Sequence, residues 1–344
     1  MISAILSLAF LLLFSELASA NFKRLAPVLE GWEQARKNPV PGNETNLNPF
    51  PWLGGWEKLA TLVWAVGVSI PLLAFACACH LFLNDSIKAQ NLILGSTMGI
   101  NIIGLSLAFG LVLLSGPLTF FRLRTVTSPI FLLLATVIFT YVCLNRRISI
   151  GEAVILLLLL TAYAFYFRRF SSEWKHYERA FSGTSLVESA EGLLPVAAMF
   201  CMGLGFFLLA ILVAYPFVTA LDRFPFPESS NWFRVGAHFV ALALSLPWLV
   251  RCLYSLKGGS TSKAVTTSSI SHACLLNVLL VPAVASFLGM RDLSELLLSF
   301  YLPALLIFTG IFVSALLIEK EKGGKLPWML LVGYLVYTAL GIFH

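Results

Sequence analysis

Ten stretches of this chain are apolar and long enough to lie in a bilayer, and nothing else in it limits the fold as much. They fall near residues 2–20, 59–82, 92–118, 128–144, 151–167, 194–220, 235–256, 264–289, 296–318 and 326–343. Hydrocarbon offers no water to pair with backbone N–H and C=O groups, so a spanning chain must close its hydrogen bonds internally. Apolar runs of about 20 residues without period-two alternation do so as helices. Composition agrees: 58% of the 344 residues are hydrophobic and 12% are charged, about half the charged share of a soluble protein. The predicted fold class is therefore an all-α polytopic membrane protein with about ten transmembrane helices. The net charge of +6 is spread over the connections rather than gathered on one face. It therefore points to the lipid bilayer as partner and not to a nucleic acid.

The runs at 128–144 and 151–167 are at the lower limit for spanning alone. The first run ends in Ala18-Ser19-Ala20, the small-residue pattern of a cleaved signal peptide. Charge asymmetry favours a retained helix instead. With the N-terminus outside, 17 of the 23 Lys and Arg residues fall on the inner side, among them Lys23, Arg24, Arg168 and Arg169. Cleavage, or an inner N-terminus, inverts this and breaks the positive-inside rule. The expected location is a multi-pass position in the cell (inner) membrane. Residues 22–58 read as a long polar connection with Trp52 and Trp56 as interfacial anchors, and Trp64 just inside the next span. The sequon Asn43-Glu44-Thr45 then lies on the cytoplasmic side, where it goes unused.

Polar residues break two of the runs. Gly67-Val68-Ser69-Ile70-Pro71-Leu72-Leu73 puts a Ser and a Pro mid-run, and Gly95-Ser96-Thr97-Met98-Gly99-Ile100-Asn101 adds two glycines and an Asn. Proline frees a carbonyl that lipid tolerates only where protein or water satisfies it. Polar-lined, broken helices are what a transporter's midplane site requires. Together these residues resemble the first alpha repeat of the sodium/calcium exchanger (cation/calcium antiporter) superfamily. The usual form there is Gly-Thr-Ser-x-Pro-Glu followed by Gly-Asn-x-x-Gly-Ser-Asn. Leu72 stands where the resemblance implies an ion-binding glutamate, Ser96 replaces the first Asn and Ile100 replaces the Ser. The resemblance covers roughly 60–170 and extends more thinly over 194–344.

The same pattern recurs in the second half. Ala243-Leu244-Ser245-Leu246-Pro247-Trp248-Leu249 repeats the Ser-x-Pro element, and Pro71 and Asn101 stand 30 positions apart, as do Pro247 and Asn277. A gapless alignment pairs Gly95 with Ser271, Ser96 with His272 and Asn101 with Asn277. A rival register matches Ser271-His272 to the Ser-Asn pair and leaves Asn277 outside the motif. Five spans on each side of a charged stretch imply two inverted five-helix repeats, 1–167 and 192–344, joined by a cytoplasmic connection at 168–191.

Calcium needs oxygen ligands and carboxylates to balance its charge. None of the 17 acidic residues falls inside the repeat-bearing spans, because Leu72 and Trp248 occupy both glutamate positions. A neutral set remains as ion-pathway candidates: Ser69, Asn101, Ser245, Ser271 and Asn277. Each of these can equally serve as an interhelical hydrogen bond in a preserved scaffold. His272 adds a group that titrates near neutral pH, or a neutral imidazole bonded to a nearby Ser. Cys77 and Cys79 face about 200° apart on a helix, so Cys77-x-Cys79-His80 is a poor metal triplet. The six cysteines read as packing residues. No Walker, zinc-protease or G-x-S-x-G motif is present, so neither an enzyme nor a cofactor is expected.

The resemblance implies a secondary cation antiporter of alternating access, its cargo a monovalent or divalent cation. The alternative is a transport-inactive structural or regulatory protein acting on a membrane-protein partner. The charge argument carries its own test. A reporter fused between residues 23 and 58 is expected on the cytoplasmic side, and an exterior reporter overturns the topology.

Overall fold

In the computed structural model, residues 2–37, 56–114, 127–170, 193–223, 232–255, 260–289, 293–317 and 325–343 are described. They form ten apolar helical units, six long enough to cross a bilayer and four shorter. In chain order these are α1 (Ile2–Lys37), α2 (Trp56–Phe82), α3 (Ser86–Leu114), α4 (Thr127–Cys143) and α5 (Ile150–Phe170). Then come α6 (Leu193–Val213, continued by Tyr215–Arg223), α7 (232–255), α8 (Ser260–Phe287), α9 (Leu297–Leu317) and α10 (Leu326–Phe343). The protein is an all-α polytopic membrane protein, and among the described residues there are no strands.

Two boundaries differ from the sequence expectation. Helix α1 runs on to Lys37, where a polar connection from residue 22 was expected. Residues 22–37 hold Ala, Glu, Gln, Arg and Lys, which favour a helix beyond the apolar run, and the helix continues despite Pro27 and Gly31. Helix α5 likewise runs on through residues 168–170, assigned above to the connection. The rest of that connection, the sequon and Trp52 lie outside the described residues.

Burial separates an inner pair of helices from a peripheral pair. The spanning parts of α3 and α8 are 78% and 83% buried, against 28% and 22% for α1 and α6. Helix α8 packs on α4 and α5, and α3 packs on α9 and α10. Helices α1, α2 and α6 lie together at the side, with Ile5, Leu6, Phe10, Leu208 and Leu212 facing outward. Pro216 interrupts α6 because it lacks an N–H and crowds the preceding turn. The ladder bond it disturbs, Phe217 N–H to Val213 O, is bridged by a side chain from α1. Phe217 N donates to Ser7 Oγ at 3.0 Å, and the Ser7 hydroxyl donates to Val213 O. A neighbouring serine re-satisfies the broken backbone, as lipid requires.

Helices α3 and α7 cross so closely that glycine is needed on both. A Cβ on Gly236 would sit 2.5 Å from Leu92 O, and one on Gly99 2.5 Å from Ala241 Cβ. Such Gly-x-x-x-Gly contacts let backbones touch where lipid provides no hydrophobic drive for association. The α4–α5 turn docks on the α8–α9 connection. Arg146, with φ 59°, accepts a bond from Leu293 N at 2.8 Å and pairs with Glu295 at 2.8 Å. Ser286 Oγ donates to Ile148 O at 3.0 Å.

Gly99→Ala is expected to lower stability by about 1–3 kcal/mol through overpacking. Gly205→Ala, where a new Cβ meets nothing within 4 Å, is expected to gain about 1 kcal/mol from helix propensity. Thermal unfolding of the two detergent-solubilised variants checks the contrast.

Candidate functional site

Ser-x-Pro in α2 and the Asn positions of α3 and α8 converge at the centre. Ser69 Oγ donates to Asn277 Oδ1 at 3.1 Å. Asn277 Nδ2 in turn donates to Asn101 Oδ1 at 3.5 Å, a long and weak bond. All three side chains are buried, and Asn101 Nδ2 finds no partner. Two consecutive helices of the first half and one of the second thus share one polar chain, Ser69 to Asn277 to Asn101. Turning both amides over reverses its direction and leaves an Asn101 carbonyl oxygen unpaired instead. The same trio can therefore offer either an N–H or an oxygen.

The other candidates do not join it. The Ser245 hydroxyl donates to Ala241 O, one turn back in its own helix. Ser271 Oγ is buried without a partner. His272 lies five residues before Asn277, about 140° around the helix, and faces α4 and α5. Its Nε2 lies 3.3 Å from Ser128 Oγ and its ring centroid 5.8 Å from that of Tyr163. Ser96 and Thr97 bond back to Leu92 O at 2.6 Å and Ile93 O at 2.8 Å. Cys79 is buried whereas His80 is exposed, so the Cys-x-Cys-His run does not converge on one point.

The two positions of the implied glutamates are apolar in different ways. Leu72 is part of the buried core. Trp248 reaches across from α7 and lays its ring on Gly104 of α3, where a Cβ would sit 2.6 Å from its Cη2. Cys274 of α8 closes the same point, 3.0 Å from that Cβ position, and its thiol donates to Asn101 O at 3.7 Å. Gly104 follows Asn101 by three residues and Cys274 precedes Asn277 by three, so the indole lies within one turn of both asparagines. Gly104 also begins a π-helical segment, Gly104–Ala108, one of three among the described residues with Val235–Val240 and Leu297–Tyr301. Wide turns of this kind gather at functional sites. No hydropathy pattern announces them, and the sequence reading gave no place to the Trp248–Gly104–Cys274 contact.

Solved structures of exchangers share this fold. Two structures of the sodium-calcium exchanger NCX_Mj match with TM-scores of 0.58 and 0.57 at 18% and 19% identity, covering 98% and 97% of this chain and 98% of each of those chains. The H+/Ca2+ exchanger CAX matches with a TM-score of 0.54 at 14% identity, over 99% of this chain and 87% of that one. At these identities the fold is what is shared. No protein-family model matches the chain, and no curated protein matches it by sequence.

If Asn277 ties Ser69 to Asn101, removing it strands polar groups on both sides. Asn277→Ala is expected to cost about 1–3 kcal/mol, more than Ser69→Ala. The double variant is expected to show a coupling of about 0.5–1.5 kcal/mol. Equilibrium unfolding of the four proteins of the cycle measures it, and additive costs would dissolve the trio.

Proposed function

We propose that this chain is a divergent member of the sodium/calcium exchanger superfamily and works as a secondary cation antiporter. Access alternates around Ser69, Asn101 and Asn277 at the meeting of two inverted five-helix repeats, 1–167 and 192–344. The observation that carries the reading is the buried Ser69–Asn277–Asn101 chain. It supports the gapless register, since Asn101 and Asn277 are then counterparts meeting near a pseudo-twofold axis. The near full-length likeness to NCX_Mj and CAX supports transport rather than catalysis.

The cargo is a monovalent cation. Hydroxyl and amide oxygens can replace part of the hydration shell of a singly charged ion. A divalent ion in low dielectric demands carboxylates, and Leu72 and Trp248 supply none. The moving part is the peripheral pair α1 and α6, which holds to α2 and presents apolar faces to lipid while α3 and α8 stay buried. The N-terminus lies outside and residues 168–191 lie in the cytoplasm.

Trp248 favours a second reading. An indole packed on Gly104 and Cys274, one turn from both asparagines, can hold the site shut, and the protein then serves as an inactive scaffold for a membrane-protein partner. Reconstitution separates the two. Proteoliposomes are expected to exchange a monovalent cation from a panel including sodium, potassium and protons, to take up no calcium, and to lose exchange in Asn101→Ala or Asn277→Ala. Folded, inserted protein that is silent across the panel sinks the antiporter reading and leaves the scaffold.

A further inference from the structure

The last nine residues of α6, Tyr215–Arg223, form a helical segment of their own beyond the break at Pro216. They pack on α1 and α2. Phe82 at the end of α2 meets Tyr215 with ring centroids 5.1 Å apart, and Phe75, two turns earlier, meets Phe217 at 6.2 Å. Phe75, Cys79 and Phe82 stand at i, i+4 and i+7, which is one face of a helix. The segment therefore lies across the face of α2 that carries Cys79, and Cys79 is fully buried. Near its end the segment reaches α3, where Asp222 pairs with Lys88 at 3.2 Å. Lys88 stands in the first turn of α3, whose N-terminus Asp85 caps. Its ammonium also lies over the ring of Trp232, which opens α7, 5.2 Å from the centroid. The inner helices α3 and α7 thus hold the cation, and the peripheral helix brings the anion.

Little else holds this segment down. Val218 is the one buried residue of the nine, with Phe217 and Leu221 half-buried beside it. A helix this short is marginal by itself, and elements with few buried contacts open at the lowest free energy. Pro216 supplies the pivot, since a break in the helical ladder is where a helix bends. At the other end the ion pair is open to solvent, its side chains 34% and 44% exposed. Such a pair is weak and is screened by salt. It adds little to the stability of the whole fold, but it is enough to bias a segment that so few other contacts restrain.

We infer that Tyr215–Arg223 is a strap, hinged at Pro216 and latched by the Lys88–Asp222 pair, that closes over the Cys79 face of α2. Releasing the latch unties α6 from α3 at this end and uncovers the last turns of α2. Ser7 holds α1 to the hinge itself, so α1 stays with α6 when the latch opens. The strap stands on these contacts and not on the transport reading; in an antiporter it is the tie that must break before the peripheral pair can shift against the inner helices. Its test reads a thiol and not transport, so either idea can fail while the other stands.

Native cysteines report on the strap. The full chain in phosphatidylcholine nanodiscs is treated with N-ethylmaleimide, and modification of Cys79 and Cys274 is followed by mass spectrometry. Cys274, buried at the centre, is the control for general loosening. Asp222→Asn and Lys88→Met are each expected to speed modification of Cys79 about two- to five-fold and to leave Cys274 unchanged. Exchanging the charges, Lys88→Asp with Asp222→Lys, is expected to restore most of the protection. Raising sodium chloride is expected to speed the reaction of wild type but not of Asp222→Asn. Equal rates in wild type and Asp222→Asn, a salt response common to both, or a Cys79 that stays unreactive in every variant overturns the strap. So does a charge exchange that restores nothing, or an increase that Cys274 shares. Asp222→Asn, at an exposed helix end, decides by itself if Lys88→Met fails to fold.

Discussion

The crossing of α3 and α7 fixes the depth of nearly everything that matters in this molecule. Lipid tails are as apolar as leucine side chains, so two helices in a membrane gain little from meeting unless their backbones approach closely. Gly95 and Gly99 on one side and Gly236 on the other allow that approach, with Phe233 and Ala237 lying directly against α3. Once α7 is pinned there, its remaining residues have no freedom of level. His238, two positions after Gly236, is held where it can reach Tyr301 and Gly341. Trp248, three turns further on, is held where its ring meets Gly104. One close contact thereby sets both the aromatic cluster at one end of α7 and the obstruction beside the asparagines.

The centre shows how a membrane interior treats neutral polar groups. A carboxylate at the bilayer midplane costs about 3 kcal/mol, and it is kept only where an ion repays it. The hydroxyl of Ser69 and the amides of Asn101 and Asn277 pair with one another across α2, α3 and α8. Three residues after each Ser-x-Pro serine stand Leu72 and Trp248, which pack differently. Leu72 simply joins the core, while Trp248 spans from one helix to two others. Small hydroxyls elsewhere bond to their own helix, as Ser96, Thr97 and Thr309 do. That is the cheapest way to hide a donor in lipid and makes no demand on a neighbour.

Hydropathy made the ten helices legible because the cost of an unpaired backbone in lipid leaves the chain one choice. Equal spacing from Pro71 to Asn101 and from Pro247 to Asn277 made two members of the central trio legible, and the shared Ser-x-Pro element supplied Ser69. The rest obeys forces that leave no periodic trace. The helix continues over residues 22–37, beyond the apolar run, where run length says nothing. Ser245 was grouped with Ser69 by sequence, but a serine's χ1 decides whether it bonds across or back, and nothing in Ser-x-Pro specifies the rotamer. The π-helical turns at Gly104–Ala108, Val235–Val240 and Leu297–Tyr301 shift every later side chain on their helices. A pattern drawn with 3.6 residues per turn therefore could not bring His238 to Tyr301 or Trp248 to Gly104.

The two halves are equivalent in spacing and unequal in bonding, and the inequality falls at the centre. Ser69 gives its proton across the interface to Asn277, whereas Ser245, its counterpart, gives its own back to Ala241. Ala241 O loses little if that bond is released, since a helical carbonyl already has a backbone donor. Asn101 is left with an amide N–H that nothing among the described residues satisfies. An orphaned buried donor costs about 1–3 kcal/mol. What differs between the halves three residues after each serine is Leu72 against Trp248, an ordinary core side chain against a bulky ring wedged on Gly104 and Cys274. One unmet amide N–H thus stays at Asn101, within a turn of the contact between Trp248 and Gly104.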